Sequence, residues 1–260
     1  AIKMADLKIA SYNVNGIRAA TKKGLLIWIN ETTPDLICFQ EMRSSEKDMP
    51  KELAELNYIQ YHQIAQKKGY SGVSIFSTSP ANTIHYGIGV DWIDEEGRVL
   101  TAEYDDFRLV SSYFPSGTTG DVRQDMKMEF LGHFMDFAMA LKEDGKPTII
   151  TGDFNICHLD IDIHNPNKQH NTSGFLPEER SWVTQLLSKG YADAFREIYP
   201  TLRDTYSWWS YRAGSKARNK GWRIDYHMVS EMLIQRILEA KIECKWDMSD
   251  HAPVTVTYRF

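Results

Sequence analysis

Two widely separated segments of this chain follow one pattern, an apolar strand-like run that ends in a polar-x-polar pair. The segments are ASYNVN near the N-terminus and ITGDFN in the second half. Because successive side chains of a strand alternate between its two faces, each pair is predicted to project on one side, Asn13 with Asn15 and Asp153 with Asn155. Two β-rich halves packed face to face, with helices outside, would bring both pairs to one edge.

Further apolar runs predict a succession of strands interrupted by a few helices. Strands are predicted over LKIASYNV, DLICFQE, five β-rich runs between residues 57 and 114, PTIITGDFN, RIDYHMVS, IECKW and PVTVTYRF. Helices are predicted over LLIWINETT, residues 121–142 and PEERSWVTQLLSKG. No low-complexity linker divides the chain, so we predict one α/β (α+β) domain over residues 4–260. It would be a two-layer β-sandwich flanked by helices, with Met4 as the natural first residue and residues 1–3 as an added segment.

The composition is that of a globular protein and excludes a disordered chain, with 42% apolar and 25% charged residues. No apolar run is long enough for a membrane helix, and AIKMADLKIA lacks the apolar stretch of a signal peptide. Cys38, Cys157 and Cys244 lie far apart in apolar segments, which indicates buried thiols in a reducing compartment. We therefore expect a cytoplasmic protein without a membrane partner. Cys157 and His158 could start a soft-metal site, but no second Cys/His pair lies nearby.

The net charge of −5 is not typical of a nucleic-acid-binding protein, whose binding face is usually basic. The basic residues are nevertheless unevenly distributed. They concentrate at Lys67 and Lys68 and in a segment that contains Arg212, Lys216, Arg218, Lys220 and Arg223. On charge alone, this basic segment is equally well explained as a solvated loop or as a surface for phosphates.

Five short polar segments, each beside a strand-like apolar run, indicate the chemistry of the site. They are SYNVNGIR, QE, TGDFN, GWRIDY and SDHAP. A histidine beside carboxylates can exchange protons with a phosphate or its attacking water, and carboxylate oxygens suit a hard cation such as Mg²⁺. Glu41 follows the buried run DLICFQ and is therefore predicted at the strand-end edge. Together these segments predict a metal-dependent phosphoesterase.

The motifs taken as a set resemble one family. NVNGIR, QE, KKGYSGV, SSYFPSG, GDFN, SGFLPEER, YSWW, GWRIDY and SDHAP, in this order, are similar to the exonuclease III family of abasic-site endonucleases, within the endonuclease/exonuclease/phosphatase superfamily. The resemblance runs from about Leu7 to Tyr258. It implies a DNase I-like four-layer architecture and a monomer that hydrolyses the DNA backbone 5′ to abasic sites. It also implies 3′→5′ exonuclease and 3′-end-cleaning activity on double-stranded DNA with abasic sites or blocked 3′ ends.

The same resemblance assigns roles to the polar residues. It implies that Glu41 binds the metal, Mg²⁺ or Mn²⁺ as a substitute, with Asn15 beside it and Asp250 close enough to help. The catalytic set that it implies consists of Asp153, Asn155, His251, Asp225, Tyr113 and Asn13. Within this set, Asp153 would activate the attacking water, and Asp225 would fix the tautomer of an imidazole against the scissile phosphate.

Substrate binding is also implied by the resemblance, with an apolar pocket for the baseless sugar. The implied substrate-binding residues are Trp208, Trp222 and Ile224 in the pocket, Asn171 for phosphate, and Lys216, Arg218 and Lys220 in the basic segment. Trp208 stands where relatives often have Phe. The loop HNPNKQHNTSGF (residues 164–175) replaces a stretch that commonly carries asparagines, and its histidines are expected to be solvated rather than to bind a second metal.

Two other classes of function stay open. A metal-dependent phosphatase of small or lipid phosphates would share the catalytic residues, but it needs neither the basic segment nor the aromatic pocket. A noncatalytic DNA-binding module is poorly supported, because it has no need of Asp153, Asp225 and His251 together.

Overall fold

Two six-stranded β-sheets form the centre of the computed structural model, which describes residues 5–260. The prediction that Met4 is the natural first residue concerns positions outside the described residues. The strands in chain order are β1 (Asp6–Asn13), β2 (Leu36–Gln40), β3 (Ile59–Gln63), β4 (Val73–Ser77), β5 (Thr83–Tyr86), β6 (Val99–Glu103), β7 (Arg108–Tyr113), β8 (Thr148–Asp153), β9 (Tyr191–Asp193), β10 (Trp208–Trp209), β11 (Gly221–Trp222), β12 (Asp225–Ser230), β13 (Ile237–Ile242) and β14 (Val254–Arg259).

Helices connect these strands and lie outside the sheets. The α-helices are α1 (Ile17–Lys22), α2 (Leu25–Thr32), α3 (Asp91–Glu95), α4 (Asp121–Ala140), α5 (Pro177–Ser188) and α6 (Ala194–Ile198). Short 3₁₀ helices cover Glu46–Asp48, Lys51–Glu55, Asp160–Asp162, Pro166–Lys168, Arg212–Gly214 and Glu231–Arg236. Within residues 5–260, none of the helices has the length and apolar character needed to cross a bilayer.

The two sheets have related topologies. The first sheet has the strand order β13-β14-β1-β2-β4-β3, and the second has the order β5-β6-β7-β8-β12-β9. Each contains one parallel pair near its centre, β1 with β2 and β7 with β8, and its other neighbours are antiparallel. The strands β10 and β11 form a separate two-stranded ribbon. Since β1 and β8 occupy central positions, their C-terminal ends meet at one edge of the molecule.

Apolar side chains hold the layers together. Between the sheets, Ile9 and Cys38 of the first sheet belong to one buried cluster with Leu109 and Ile149 of the second. Helices α1 and α2 cover the outer face of the first sheet, and α4 and α5 cover that of the second. β2 and β8 are therefore buried at every position, as continuous apolar runs require. This arrangement confirms the predicted four-layer sandwich flanked by helices.

One predicted strand is misplaced along the chain, and one predicted helix is two residues too long. The strand that pairs antiparallel with β14 at the edge of the first sheet is β13, whose sequence is ILEAKI. The strand predicted over IECKW is therefore wrong except at Ile242. Beyond that residue the Cys244 N–H donates to the Ile242 carbonyl oxygen at 3.1 Å, which closes a turn and ends the ladder. The helix predicted over residues 121–142 ends at Ala140.

Candidate active site

The polar pairs of the two halves meet across the interface between the sheets. Asn13 ends β1 and Asp153 ends β8, and the Asn13 amide nitrogen Nδ2 donates to Asp153 Oδ2 at 2.9 Å. Both side chains are buried. A hydrogen bond between residues 140 positions apart thus joins the ends of two strands from different sheets.

The same turn follows both strands. Asn13 Oδ1 accepts the Asn15 N–H at 2.9 Å, and Asp153 Oδ1 accepts the Asn155 N–H at 2.9 Å. Asn15 and Asn155 adopt the left-handed conformation, with φ of 45° and 52°, which asparagine tolerates better than most residues. The strands have already ended at these residues, so turn geometry positions them and the predicted strand alternation does not.

Asp225 and His251 form a buried hydrogen-bonded pair. The Nδ1–H of the imidazole donates to Asp225 Oδ2 at 2.8 Å, and Nε2 lies 3.6 Å from Asp153 Oδ2. Burial disfavours the imidazolium, but the charges of Asp225 and Asp153 outweigh it and raise the pKa of His251 to about 10. The histidine is therefore charged at neutral pH, and its Nε2–H can donate toward the cavity.

For Asp153, burial outweighs the effect of the neighbouring positive charge on the pKa. Burial raises the pKa of its carboxyl to about 7, with a further increase from Asp225, although His251 and the Asn155 N–H act in the other direction. A carboxylate with a pKa close to neutrality can accept a proton from water at working pH. The site therefore contains a cationic donor and a proton acceptor side by side.

Carboxylates outnumber cations around this pair. Glu41, with φ of 52° directly after β2, and Asp250 line the same cavity as Asp153 and His251. Burial raises the pKa of Glu41. Within the described residues, the buried Asp225 Oδ1 has no hydrogen-bond partner. This surplus of buried negative charge and hard oxygen ligands fits a divalent cation.

Several side chains around the cavity could hold a metal ion, and some of them already take part in hydrogen bonds. Asp153, Asp225 and His251 each offer a ligand atom within 4.8 Å of the others. The Asp225–His251 hydrogen bond uses Asp225 Oδ2 and His251 Nδ1, and Glu41 and Asp250 add further carboxylate oxygens in the same cavity. The third predicted ligand, Asn15, uses its amide oxygen to accept from the Arg43 guanidinium at 3.2 Å.

An apolar wall stands beside the polar groups. A cavity of about 540 Å³ is lined by Trp208, Trp222 and Ile224 together with Tyr113, Asp153, Asn155 and His251. The Trp208 and Trp222 rings are 6.0 Å apart at 85°. Trp222 and Ile224 do not belong to one strand, because β11 ends at Trp222 and β12 begins at Asp225. Both nevertheless face the cavity.

Tyr113 lines the cavity and is held by a residue that the sequence did not indicate. The Arg98 guanidinium lies 5.0 Å from the centre of the Tyr113 ring and donates to the Tyr113 carbonyl oxygen at 2.9 Å. Burial raises the pKa of Tyr113, so the phenol stays protonated and can donate. An arginine in EEGRVL looks like an ordinary surface residue, and nothing in its local pattern marks it.

Three further residues that sequence reasoning missed support this site. Lys127 Nζ donates to the Asn155 carbonyl oxygen at 2.7 Å and forms a buried ion pair with Glu179. Ser207 Oγ accepts the N–H groups of Ile224 and Asp225 at 3.0 and 3.1 Å, which anchors the start of β12. Of these, only Glu179 lies at the start of a predicted helix, where it follows Pro177 in the first turn of α5 and its Oε1 accepts the Leu176 N–H at 3.0 Å.

The predicted phosphate-contacting residues lie farther out. Asn171 is exposed, and its neighbours Thr172 and Ser173, not Asn171 itself, line the cavity. Arg218 and Lys220 line a separate cleft. Lys216 forms an ion pair with Asp247 at the surface.

Arg223 was grouped with the basic segment in the sequence, but it is not part of an exposed basic surface. Its guanidinium is buried and pairs with Asp162 at 2.7 Å and with Asp193 at 2.5 Å. It therefore cannot contact a phosphate of duplex DNA. Arg212, in contrast, lines the cavity.

Cys157 and His158 do not form a soft-metal site, because each side chain has another partner. His158 Nε2 forms a hydrogen bond with Thr184 Oγ1, and the Cys157 thiol donates to the Asp162 carbonyl oxygen.

Comparisons with known proteins agree on one family. The Endonuclease/Exonuclease/phosphatase family matches residues 10–251. The exodeoxyribonuclease of Bacillus subtilis is 41% identical over 249 residues, which are 95% of this chain and 98% of that protein. The DNA repair nuclease APEX1 of Danio rerio is 38% identical over 257 residues, covering 98% of this chain and 83% of that protein. The structure of an AP endonuclease from Archaeoglobus fulgidus has a TM-score of 0.88 and 26% identity, covering 97% and 99% of the two chains.

Proposed function

Since this chain belongs to the endonuclease/exonuclease/phosphatase family, in its exonuclease III branch, we propose that it hydrolyses the DNA backbone 5′ to abasic sites. As a member of that branch it is a hydrolytic nuclease of DNA repair. The observation that carries the proposal is the placement of the Asp153–His251–Asp225 group directly beside the apolar wall of one cavity. 3′→5′ exonuclease and 3′-end-cleaning activity would use the same groups.

The chain's own residues supply the proton transfers. Asp153, with a pKa raised to about 7, accepts a proton from the attacking water, and the Asn13 amide holds its carboxylate in place. The charged His251 donates to a non-bridging phosphate oxygen, and Asp225 keeps its ring in the required orientation. The phenol of Tyr113 is a second donor beside the phosphate.

Asn155 positions the water in this proposal. Its amide nitrogen donates to the Phe114 carbonyl oxygen at 2.7 Å, which leaves the amide oxygen to accept a hydrogen bond. Two acceptors, this oxygen and the Asp153 carboxylate, then orient one water. Such alignment of reacting groups accounts for a large share of the rate enhancement in enzymes.

Glu41 and Asp250 would hold the metal, Mg²⁺ with Mn²⁺ as a substitute, with Asn15 as an additional oxygen donor. When bound, the cation supplies Lewis-acid stabilisation of the charge that develops on the phosphate. Mg²⁺ commonly uses only one or two protein carboxylates and leaves its other positions to water and phosphate. Glu41 and Asp250 both line the cavity, which is compatible with that requirement.

Substrate choice comes from the apolar wall. Trp208, Trp222 and Ile224 offer a surface for a sugar that lacks a base, and extruding such a nucleotide costs least because no base has to be unpaired. The partner is double-stranded DNA with abasic sites or blocked 3′ ends, and the enzyme acts as a cytoplasmic monomer. Phosphates away from the cut would contact Asn171, Lys216, Arg218 and Lys220.

Incision of a duplex that carries one abasic site tests this function against hydrolysis of an inositol phosphate, the substrate of the alternative phosphatase. We expect incision in Mg²⁺, and no incision in EDTA. Glu41→Ala should lower the rate by orders of magnitude. Glu143→Ala, an exposed acid before β8 and so at the opposite end of that strand from Asp153, is the matched control and should keep the rate. Full activity in EDTA, or preference for the inositol phosphate, would refute the proposal.

A further inference from the structure

Trp208 differs from the other wall residues because its side chain also bonds an acid. Its indole N–H donates to Asp250 Oδ2 at 3.1 Å. The other oxygen, Oδ1, accepts from Ser249 Oγ at 3.2 Å and lies 3.9 Å from His251 Nε2. The Asp250 side chain is only 19% exposed. Its carboxylate is thus held in one orientation, with Oδ2 toward the apolar wall and Oδ1 toward the catalytic groups.

The backbone ties the same two segments together. Trp208 and His251 form an isolated antiparallel bridge, and the Trp209 N–H donates to the Asp250 carbonyl oxygen at 3.1 Å. The ribbon of β10 and β11 places Trp222 opposite Trp208. One short strand therefore carries a wall of the sugar pocket and fixes the main chain of a candidate metal ligand.

We propose that Trp208 is a positioning residue for the metal site, and that its indole N–H holds the Asp250 carboxylate with Oδ1 toward the catalytic groups, where it would be available to a metal ion. This inference rests on the proposed function, in which Asp250 is a ligand. A hydrogen bond to a charged acceptor is about twice as strong as one between neutral groups. Partners that orient a metal ligand in this way typically contribute about 10–100-fold in metal affinity.

A phenylalanine at position 208 separates this role from that of a pocket wall. It keeps an aromatic ring on β10 but has no N–H, so the Asp250 carboxylate can rotate. Trp222 provides the matched control, because it lines the same cavity and packs edge-to-face on Trp208. Within residues 5–260, its indole N–H has no hydrogen-bond partner that the Trp222→Phe change would remove.

The experiment measures Mn²⁺ binding to the full chain by isothermal titration calorimetry, without DNA. We expect Trp208→Phe to weaken Mn²⁺ binding by about tenfold or more, and Trp222→Phe to change it by less than about twofold. In an Asp250→Ala background, Trp208→Phe should have no further effect, because its partner is already gone. Thermal melting of each variant verifies that the fold is intact.

The outcomes separate this inference from the proposed function. Wild-type affinity in Trp208→Phe, equal losses in both tryptophan variants, or an additive loss in the Asp250→Ala background would each overturn the role of Trp208 while leaving the nuclease function in place. If the wild-type chain bound no Mn²⁺ and incised DNA in EDTA, the proposed metal dependence would fail, and this inference with it.

Discussion

Glu179→Gln is expected to destabilise the fold by about 3–5 kcal/mol, because it leaves a buried ammonium without its counter-charge. Lys127 of α4 is 1% exposed and Glu179 of α5 is fully buried, and the two form an ion pair. Burial already lowers the pKa of Lys127. Both side chains are almost completely removed from solvent, so without the carboxylate the cost of desolvating the ammonium is no longer offset.

The substitution isolates the charge. Glu179 Oε1 accepts the N–H groups of Gly174 and Leu176 at 2.7 and 3.0 Å, and a glutamine oxygen can accept both. The backbone turn before α5 can therefore persist, and the loss should be mainly electrostatic. In a domain of this size about 1 kcal/mol corresponds to about 2–4 °C in Tm, so we expect Tm to fall by roughly 6–20 °C.

A double-mutant cycle measured by urea unfolding tests the reasoning. Lys127→Met leaves the Glu179 carboxylate buried and should also destabilise, whereas the Lys127→Met/Glu179→Gln double variant removes both charges and should be more stable than the sum of the single changes predicts, by about 2 kcal/mol or more. Because Lys127 Nζ also holds the Asn155 carbonyl oxygen, Lys127→Met should lower kcat more than it raises KM. Additive free energies, or a Glu179→Gln loss below about 1 kcal/mol, would refute the assignment of a buried ion pair.

Three further predictions concern pH, salt and the pocket. Burial lowers the pKa of His227 to about 4, so the histidine is neutral in the folded state and its contribution to stability is fully present above about pH 6.5. This contribution, about 3 kcal/mol, is lost as the pH falls toward 4. His227→Asn should flatten the pH dependence of the free energy of unfolding, measured by denaturant titration. The Kd for duplex DNA should rise steeply with salt, and Arg218→Ala and Lys220→Ala should each reduce the slope of log Kd against log salt concentration by about one. Lys216→Ala should have a smaller effect, because Lys216 is paired with Asp247. A salt-independent Kd would contradict this prediction. Trp222→Ala should lower abasic-site incision by about tenfold or more relative to release of normal 3′ nucleotides, and an equal loss on both substrates would show that the residue only supports the fold.

The sequence by itself determined the layers and the edge at which the site lies. Period-two alternation and continuous apolar runs identified most strands of the two sheets, because these patterns depend only on neighbours along the chain, but they missed the short strands β9, β10 and β11 and misplaced β13. Polar residues directly after buried runs marked the strand ends, so Asn13, Asp153 and Glu41 were correctly placed at one edge. The family was also evident from the order of the motifs, since each motif is local and its order survives where overall similarity is modest.

Only the tertiary structure decided which partner each polar group has. A lysine in MKMEF and an arginine in GWRIDY look alike in sequence, yet Lys127 supports the Asn155 carbonyl group and Arg223 is buried between two aspartates. The indole N–H of Trp208 reaches an acid 42 residues away. Local sequence encodes the polarity and period of a side chain, whereas its hydrogen-bond partner depends on chain segments that packing brings together from distant positions. For that reason the positions of the catalytic candidates could be read in advance, but the contacts that hold them could not.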